Sequence, residues 1–187
     1  MEFTKTPYEE KFVGAHAFLS PSQYHWIRYD DDKLLNTYIN YNAKEMGTRL
    51  HAFAAEAIDL GIRLKGRSTI AMFVNDAIGF HMYPEVLLFY SEYFFGTTDA
   101  ISFDDKTNML RIHDLKTGST PAHMEQLRVY MALFCLKYNK KPSDINAELR
   151  IYQSNMVDME TPDPNEIEDI MNTGVRFSRL LDKAKED

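Results

Sequence analysis

Asp99-Ala100-Ile101-Ser102-Phe103-Asp104-Asp105-Lys106-Thr107-Asn108-Met109-Leu110-Arg111-Ile112-His113-Asp114-Leu115-Lys116 is the stretch whose reading decides the fold. Ala100–Phe103 and Leu110–Lys116 read as strands, and Asp104–Asn108 between them supplies turn chemistry. The two runs should therefore form an antiparallel hairpin. Pairing Asp104 with Met109 across a four-residue loop sets Asp99 directly opposite Asp114. Opposed residues share a face, as do alternate residues of one strand. One face then carries Phe103, Ile101, Leu110 and Ile112 and runs on into Asp99, Asp114 and Lys116. Its apolar half belongs to a core, and its charged half lies at the end of the same inward face.

Two opposed carboxylates repel, and desolvation raises the cost. A divalent cation relieves both problems, and hard oxygen ligands suit Mg²⁺ or Mn²⁺. Lys116 adds a positive charge that can stabilise charge developing on a phosphate or orient an attacking water. The plainer alternative is a surface Asp–Lys pair on a hairpin of different register, because a one-residue slip turns Asp99 to the face opposite Asp114.

A chain of 187 residues suits one domain with a full hydrophobic core. Its 44% apolar and 26% charged residues are ordinary for a soluble globular protein. No apolar run approaches a membrane span, and Met1-Glu2-Phe3-Thr4-Lys5 lacks the apolar core of a leader. The lone Cys135 lies in an apolar helical pattern and reads as a buried, inert thiol, so a reducing cytoplasm is the expected compartment. A net charge of −7 argues against a nucleic-acid coat protein. It leaves room for a nuclease, whose acids gather on metals while a local basic rim meets phosphates. Arg63, Lys65 and Arg67, or Lys137, Lys140 and Lys141, could form that rim or simply a solvated face.

The expected organisation is a helical part over 1–83, a β-sheet core over 84–155 and a C-terminal helix over 162–185, all in one domain. Ser20-Pro21-Ser22-Gln23 reads as a helix start with a capping box. A long helix follows from about Asp32 to Ile62, with Leu50, Phe53, Ala54, Ala57 and Ile58 on one stripe, and Ser68 caps another running to about Phe80. Val86–Phe95 reads as a strand leading into the hairpin, Pro121 as the opening of a helix, and Glu148–Gln153 as a strand. Asp163-Pro164 begins a final helix whose apolar positions are Ile167, Ile170, Met171, Val175, Phe177 and Leu181. A strand, a crossover helix and a further strand imply a parallel pairing, hence an α/β sandwich with a mixed sheet.

Five segments in order carry a resemblance. Phe95-Gly96-Thr97-Thr98-Asp99-Ala100-Ile101 looks like a "GTxDA" strand, and Ile112-His113-Asp114-Leu115-Lys116-Thr117-Gly118 like an "iDxKTG" strand. Gln126-Leu127-Arg128-Val129-Tyr130 is similar to a "QLxxY" helix motif. Ala17-Phe18-Leu19-Ser20-Pro21-Ser22 resembles an "LSPS" entry segment, and Gly47-Thr48-Arg49-Leu50-His51 a "GTxxH" motif. Together, over about His16 to Gln153, they resemble the PD-(D/E)XK nuclease superfamily, in its RecB-type and λ-exonuclease-type branch. The resemblance implies a restriction-endonuclease-like sandwich.

It also implies roles. Asp99, Asp114 and His51 would bind Mg²⁺ or Mn²⁺, with the Leu115 carbonyl as a further ligand, and Lys116 would assist the attacking water or the transition state. Gln126 and Tyr130, one helical turn apart, would position the site and the nucleic-acid strand. Taken alone, His51 would be a satisfied helix-face histidine, and Gln126 and Tyr130 a helix edge. Glu56, Glu85 and Glu92 are each open as a further acidic ligand. The second acid is Asp114 rather than the commoner Glu, and the cysteines of an iron–sulfur cluster and helicase motifs are absent from the sequence. The implied activity is a DNA exonuclease of recombination, repair or phage DNA processing, with DNA as its partner and no membrane. The alternative is a silent binding or adaptor protein on the same fold, acting on protein partners in recombination or in phage defence and counter-defence.

Overall fold

The computed structural model describes residues 6–186. Residues 1–5, on which the reading for a leader rests, lie outside the described residues. No helix among the described residues is long and apolar enough to cross a membrane. The chain divides into two compact units, Met1–Met46 and Gly47–Asp187.

In the first unit, Ser20 caps the 3-10 run Pro21–Arg28 by accepting from the Ser22 amide at 3.4 Å. Gln23 leaves helical conformation (φ −117°, ψ 44°), so the expected capping box does not form. Trp26 Nε1 instead donates to the Ser20 carbonyl at 3.1 Å. Phe18 packs edge-on against Tyr38 at 5.0 Å.

The second unit is built on a five-stranded mixed sheet in the order β1-β2-β3-β4-β5. Its strands are β1 (Tyr83–Ser91), β2 (Phe94–Asp104), β3 (Met109–Leu115), β4 (Asn146–Gln153) and β5 (Met156–Glu160). All neighbours are antiparallel except β3 and β4, which run parallel. They are joined by α3 (Glu125–Tyr138), as a parallel connection requires. Asp104 pairs with Met109, the expected register, and the turn is held by Asp104, which accepts from Lys106 N at 2.9 Å and Thr107 Oγ1 at 2.9 Å.

Helices cover both faces. Leu127, Met131 and Cys135 of α3 and Ile167 of α4 (Pro164–Glu186) pack with Ile101, Leu110, Ile112, Leu149 and Ile151. On the other face, Ala54, Ala57 and Ile58 of α1 (Asp31–Asp59) and Phe73, Val74 and Ala77 of α2 (Thr69–Gly79) pack with Ala100, Leu115 and Tyr152. Cys135 is buried, and burial pushes its thiol up to about 12, so it is inert as expected.

Several boundaries differ from expectation. Val86–Phe95 is not one strand: the chain turns at Glu92-Tyr93 between β1 and β2. Pro121 does not open α3: Gln153 Oε1 accepts from Ala122 N at 3.2 Å, and the helix starts at Glu125 with Met124 as its N-cap. β5 extends the sheet by an exposed edge strand that the residue pattern does not announce. Phe53, Phe177 and Leu181 are about half exposed rather than core.

Candidate metal centre

The buried stripe of α1 explains where His51 sits. Ala54 and Ile58 lie one and two turns beyond it on the same helical face and are packed against the sheet. His51 continues that face to the sheet end, where its Nδ1 stands 3.2 Å from Asp99 Oδ1. The helix also passes close to the loop after β3: a Cβ on Gly47 would stand 2.8 Å from Thr117 Oγ1. Gly47 and His51 thus act as one device, the glycine permitting the approach and the histidine using it.

β2 and β3 bring the two aspartates together. The ladder reaches Ala100 opposite His113, and one step on Asp99 Oδ2 accepts from the Leu115 amide at 2.7 Å. The backbone of Leu115 therefore borders the site. Asp114 is 3% exposed, and Lys116 Nζ lies 3.2 Å from its Oδ1 and 3.0 Å from its Oδ2. Only the Oδ1 contact has hydrogen-bond geometry, so Oδ2 is a buried carboxylate oxygen facing a cation without an aligned donor. A buried acceptor of that kind fits a metal ligand.

Glu85 is the acid the residue pattern left open among three. It falls between the paired residues Pro84–Ala100 and Val86–Thr98, hence opposite Asp99, and adopts left-handed backbone (φ 51°) inside a strand. A non-glycine residue there is strained, and such strain gathers at functional positions. Among the described residues, ligand atoms of His51, Glu85 and Asp99 all lie within 4.8 Å of one another. Glu92 is engaged elsewhere, bound by Lys185 at 3.0 Å, and Glu56 stands outside this group on the exposed side of α1.

The electrostatics match an anionic pocket. Burial, and then the neighbouring Asp99 charge, raise Asp114 above the usual carboxylate range against the pull of Lys116. Partial desolvation and then Asp99 do the same to Glu85, whose side of β1 stays exposed to solvent. The hydrogen bond to Asp99 raises His51, helped by the charges of Asp99, Asp114 and Glu85. His51, Glu85 and Asp99 form a donor set for a hard divalent cation, while Asp114 stands outside that group of ligand atoms and is coupled to it through charge.

A hydrogen-bonded chain holds the lysine. Lys116 Nζ donates to Gln126 Oε1 at 2.7 Å, Gln126 Nε2 to Tyr130 Oη at 3.3 Å, and Tyr130 Oη to the Thr97 carbonyl at 2.7 Å. Gln126 and Tyr130 therefore meet the site through Lys116. Of the candidate basic rims, Lys137 donates to the Leu87 carbonyl at 2.6 Å and Lys140 pairs with Asp105 at 3.5 Å, so both serve the fold. Arg63, Lys65 and Arg67 are exposed in the loop between α1 and α2.

No family model matches the chain, and neither a curated protein nor a solved structure matches it.

Proposed function

We propose that this protein is a divalent-metal-dependent nuclease on a restriction-endonuclease-like scaffold, hydrolysing DNA phosphodiester bonds from strand ends. The observation that carries the reading is the meeting of Asp99, Asp114 and Lys116 at the end of the β2–β3 hairpin, with His51 and Glu85 closing on Asp99. The five motif-like segments resembling PD-(D/E)XK nucleases supply the substrate class, and the sandwich with a mixed sheet agrees with that family's scaffold.

His51, Glu85, Asp99 and Asp114 would hold Mg²⁺ or Mn²⁺, with the Leu115 carbonyl as a further ligand. When bound, the cation supplies Lewis acidity at a phosphoryl oxygen and an acidified water. Lys116 brings its ammonium to where negative charge grows on the phosphoryl oxygens. Asp114 and Gln126 fix that ammonium from two directions, and Tyr130 fixes Gln126, so it needs little reorganisation during reaction.

The test is a series of incubations of linear, nicked and closed circular DNA, with and without Mn²⁺, read on a gel, with Asp114→Asn beside the wild type. Metal-dependent cleavage lost in Asp114→Asn supports the reading. A folded wild type inert on every DNA and RNA form moves the assignment to the silent adaptor.

A further inference from the structure

The last helix carries an apolar seam that the fold does not use. Glu166, Ile170, Thr173, Phe177, Leu180 and Ala184 recur along α4 at alternating steps of four and three residues. That spacing keeps side chains in one row able to meet a second helix. Phe177 and Leu180 are 50% and 53% exposed, and Leu181 beside them is 48% exposed. Phe177 and Leu181, with Tyr93, Phe94 and Val129, line an apolar groove of about 500 Å³ along the inner side of the row. Contiguous exposed apolar surface of this kind marks an interaction site.

The charges beside the seam say which partner fits it. Asp169, Arg176 and Lys183 repeat every seven residues along its outer edge. Glu166 is held by Arg128 at 2.7 Å, and Lys185 holds Glu92 at 3.0 Å. Asp169, Arg176 and Lys183 have no ion-pair partner among the described residues, and Arg176 rests over the Phe177 ring at 4.7 Å. The acid lies in the first half of α4 and the bases in the second. A second α4 laid parallel would bring each charge level with its own copy. Laid antiparallel and centred near Val175, it sets Phe177 against Thr173 of the second copy and Leu180 against Ile170 of the second copy. The same alignment sets Asp169 against Lys183 of the second copy, twice over by symmetry.

We propose that α4 is a self-association surface, on which two copies of this chain pack their last helices antiparallel, seam to seam, in a closed two-fold dimer. The row from Glu166 to Ala184 is about 27 Å long at 1.5 Å per residue. At a helix width of about 10 Å it covers roughly 300 Å² per copy, against about 800 Å² per partner in a standard interface. The dimer is therefore weak, with Kd on the order of 10 μM. It does not depend on the metal centre.

The test is sedimentation velocity on the full chain without added metal, from about 2 to 200 μM, a range that brackets that Kd. Wild type should pass from one copy to two. Leu180→Glu should remain a single copy throughout with an unchanged melting temperature, because Leu180 is exposed in the isolated chain. Asp169→Lys should raise Kd by about tenfold, since it reverses two symmetric pairs each worth a few-fold. Adding Lys183→Glu to Asp169→Lys should return Kd to within about twofold of wild type, a recovery that only antiparallel pairing across the two-fold produces. The charge exchange reads the same contact at exposed positions, so it decides the outcome where Leu180→Glu lowers the melting temperature. A wild type that stays single at the highest concentration, or grows beyond two copies, would overturn the dimer. So would wild-type association in a folded Leu180→Glu, or a double exchange that recovers nothing.

Discussion

The ring of Tyr130 lies over Gly96 so closely that a Cβ at 96 would stand 2.8 Å from Tyr130 Cε1. An absent side chain on β2 and an aromatic on α3 are therefore one structural unit, and Lys116 hangs from it through Gln126. Gly96→Ala must push the ring away and disturb both Tyr130 bonds. We expect a loss of about 1–3 kcal/mol of stability, the usual range for overpacking, read as a lowered melting temperature, together with lower cleavage. Tyr130→Phe keeps the ring and drops the hydroxyl, so it should cost only about 0.5–1.5 kcal/mol.

Metal binding should be visible without turnover. A ligand selective for the native state stabilises by about 2.7 kcal/mol at a hundredfold excess over Kd, so Mn²⁺ should raise the melting temperature. Asp114→Asn and Glu85→Gln should each weaken calorimetric Mn²⁺ binding. Because burial beside Asp99 disfavours the Asp114 charge, Asp114→Asn should not lower the metal-free melting temperature. Wild-type affinity in both variants would remove those side chains from the site.

Lys116→Ala should leave Mn²⁺ affinity nearly intact while cutting the cleavage rate on the order of 10²-fold or more, as loss of a transition-state charge stabiliser does. Single-turnover kinetics on linear duplex is the measurement, and a parallel fall in Mn²⁺ affinity would make the lysine structural.

End dependence has its own assay. Linear duplex should be degraded with Mn²⁺ while covalently closed circles persist on the same gel. Circles opened as fast as linear DNA is consumed would show internal cutting.

Acid sensitivity should come from the opposite face of the sheet. His113 is fully buried, with Nδ1 3.2 Å from Tyr152 Oη, which itself donates to Asp76 at 2.7 Å. The imidazole Nδ1–H is then the donor, and Nε2 has no partner. Burial, and then Arg150 and Arg111, push its pKa down to about 3, below the ordinary 6.5. A depressed base favours folding only while neutral. Its contribution is complete above 6.5 and is lost as pH falls from there towards about 3, at about 1.4 kcal/mol per unit. His113→Gln should therefore flatten the melting temperature profile between pH 6.5 and 4, and an unchanged slope would assign the acid response to other groups.

What could be read from residues alone follows their chemistry. The β2–β3 register was legible because Asp104 and Asn108 mark the turn and apolar residues alternate on both sides. The β1–β2 turn was not, because Glu92-Tyr93 carries no glycine, proline or asparagine. β5 was hidden by its exposure, and by a two-residue turn of Ser154 and Asn155 with positive φ (51° and 59°), where glycine is the usual signal. Asp99, Asp114 and Lys116 sit on one hairpin, so local spacing brings them together. Glu85 and His51 arrive from elsewhere in the chain, and only strand pairing and helix packing separate Glu85 from Glu56 and Glu92.

The left-handed backbone at Glu85 also shapes how a lineage of such proteins would age. Glycine occupies that conformation without strain, and a single base change converts a glutamate codon to a glycine codon. Drift under selection for folding alone would therefore erode this acid early, relaxing β1 and emptying one corner of the anionic pocket while the sandwich persists. Relatives that keep the scaffold without the proposed metal chemistry should carry glycine at position 85 before they lose either aspartate.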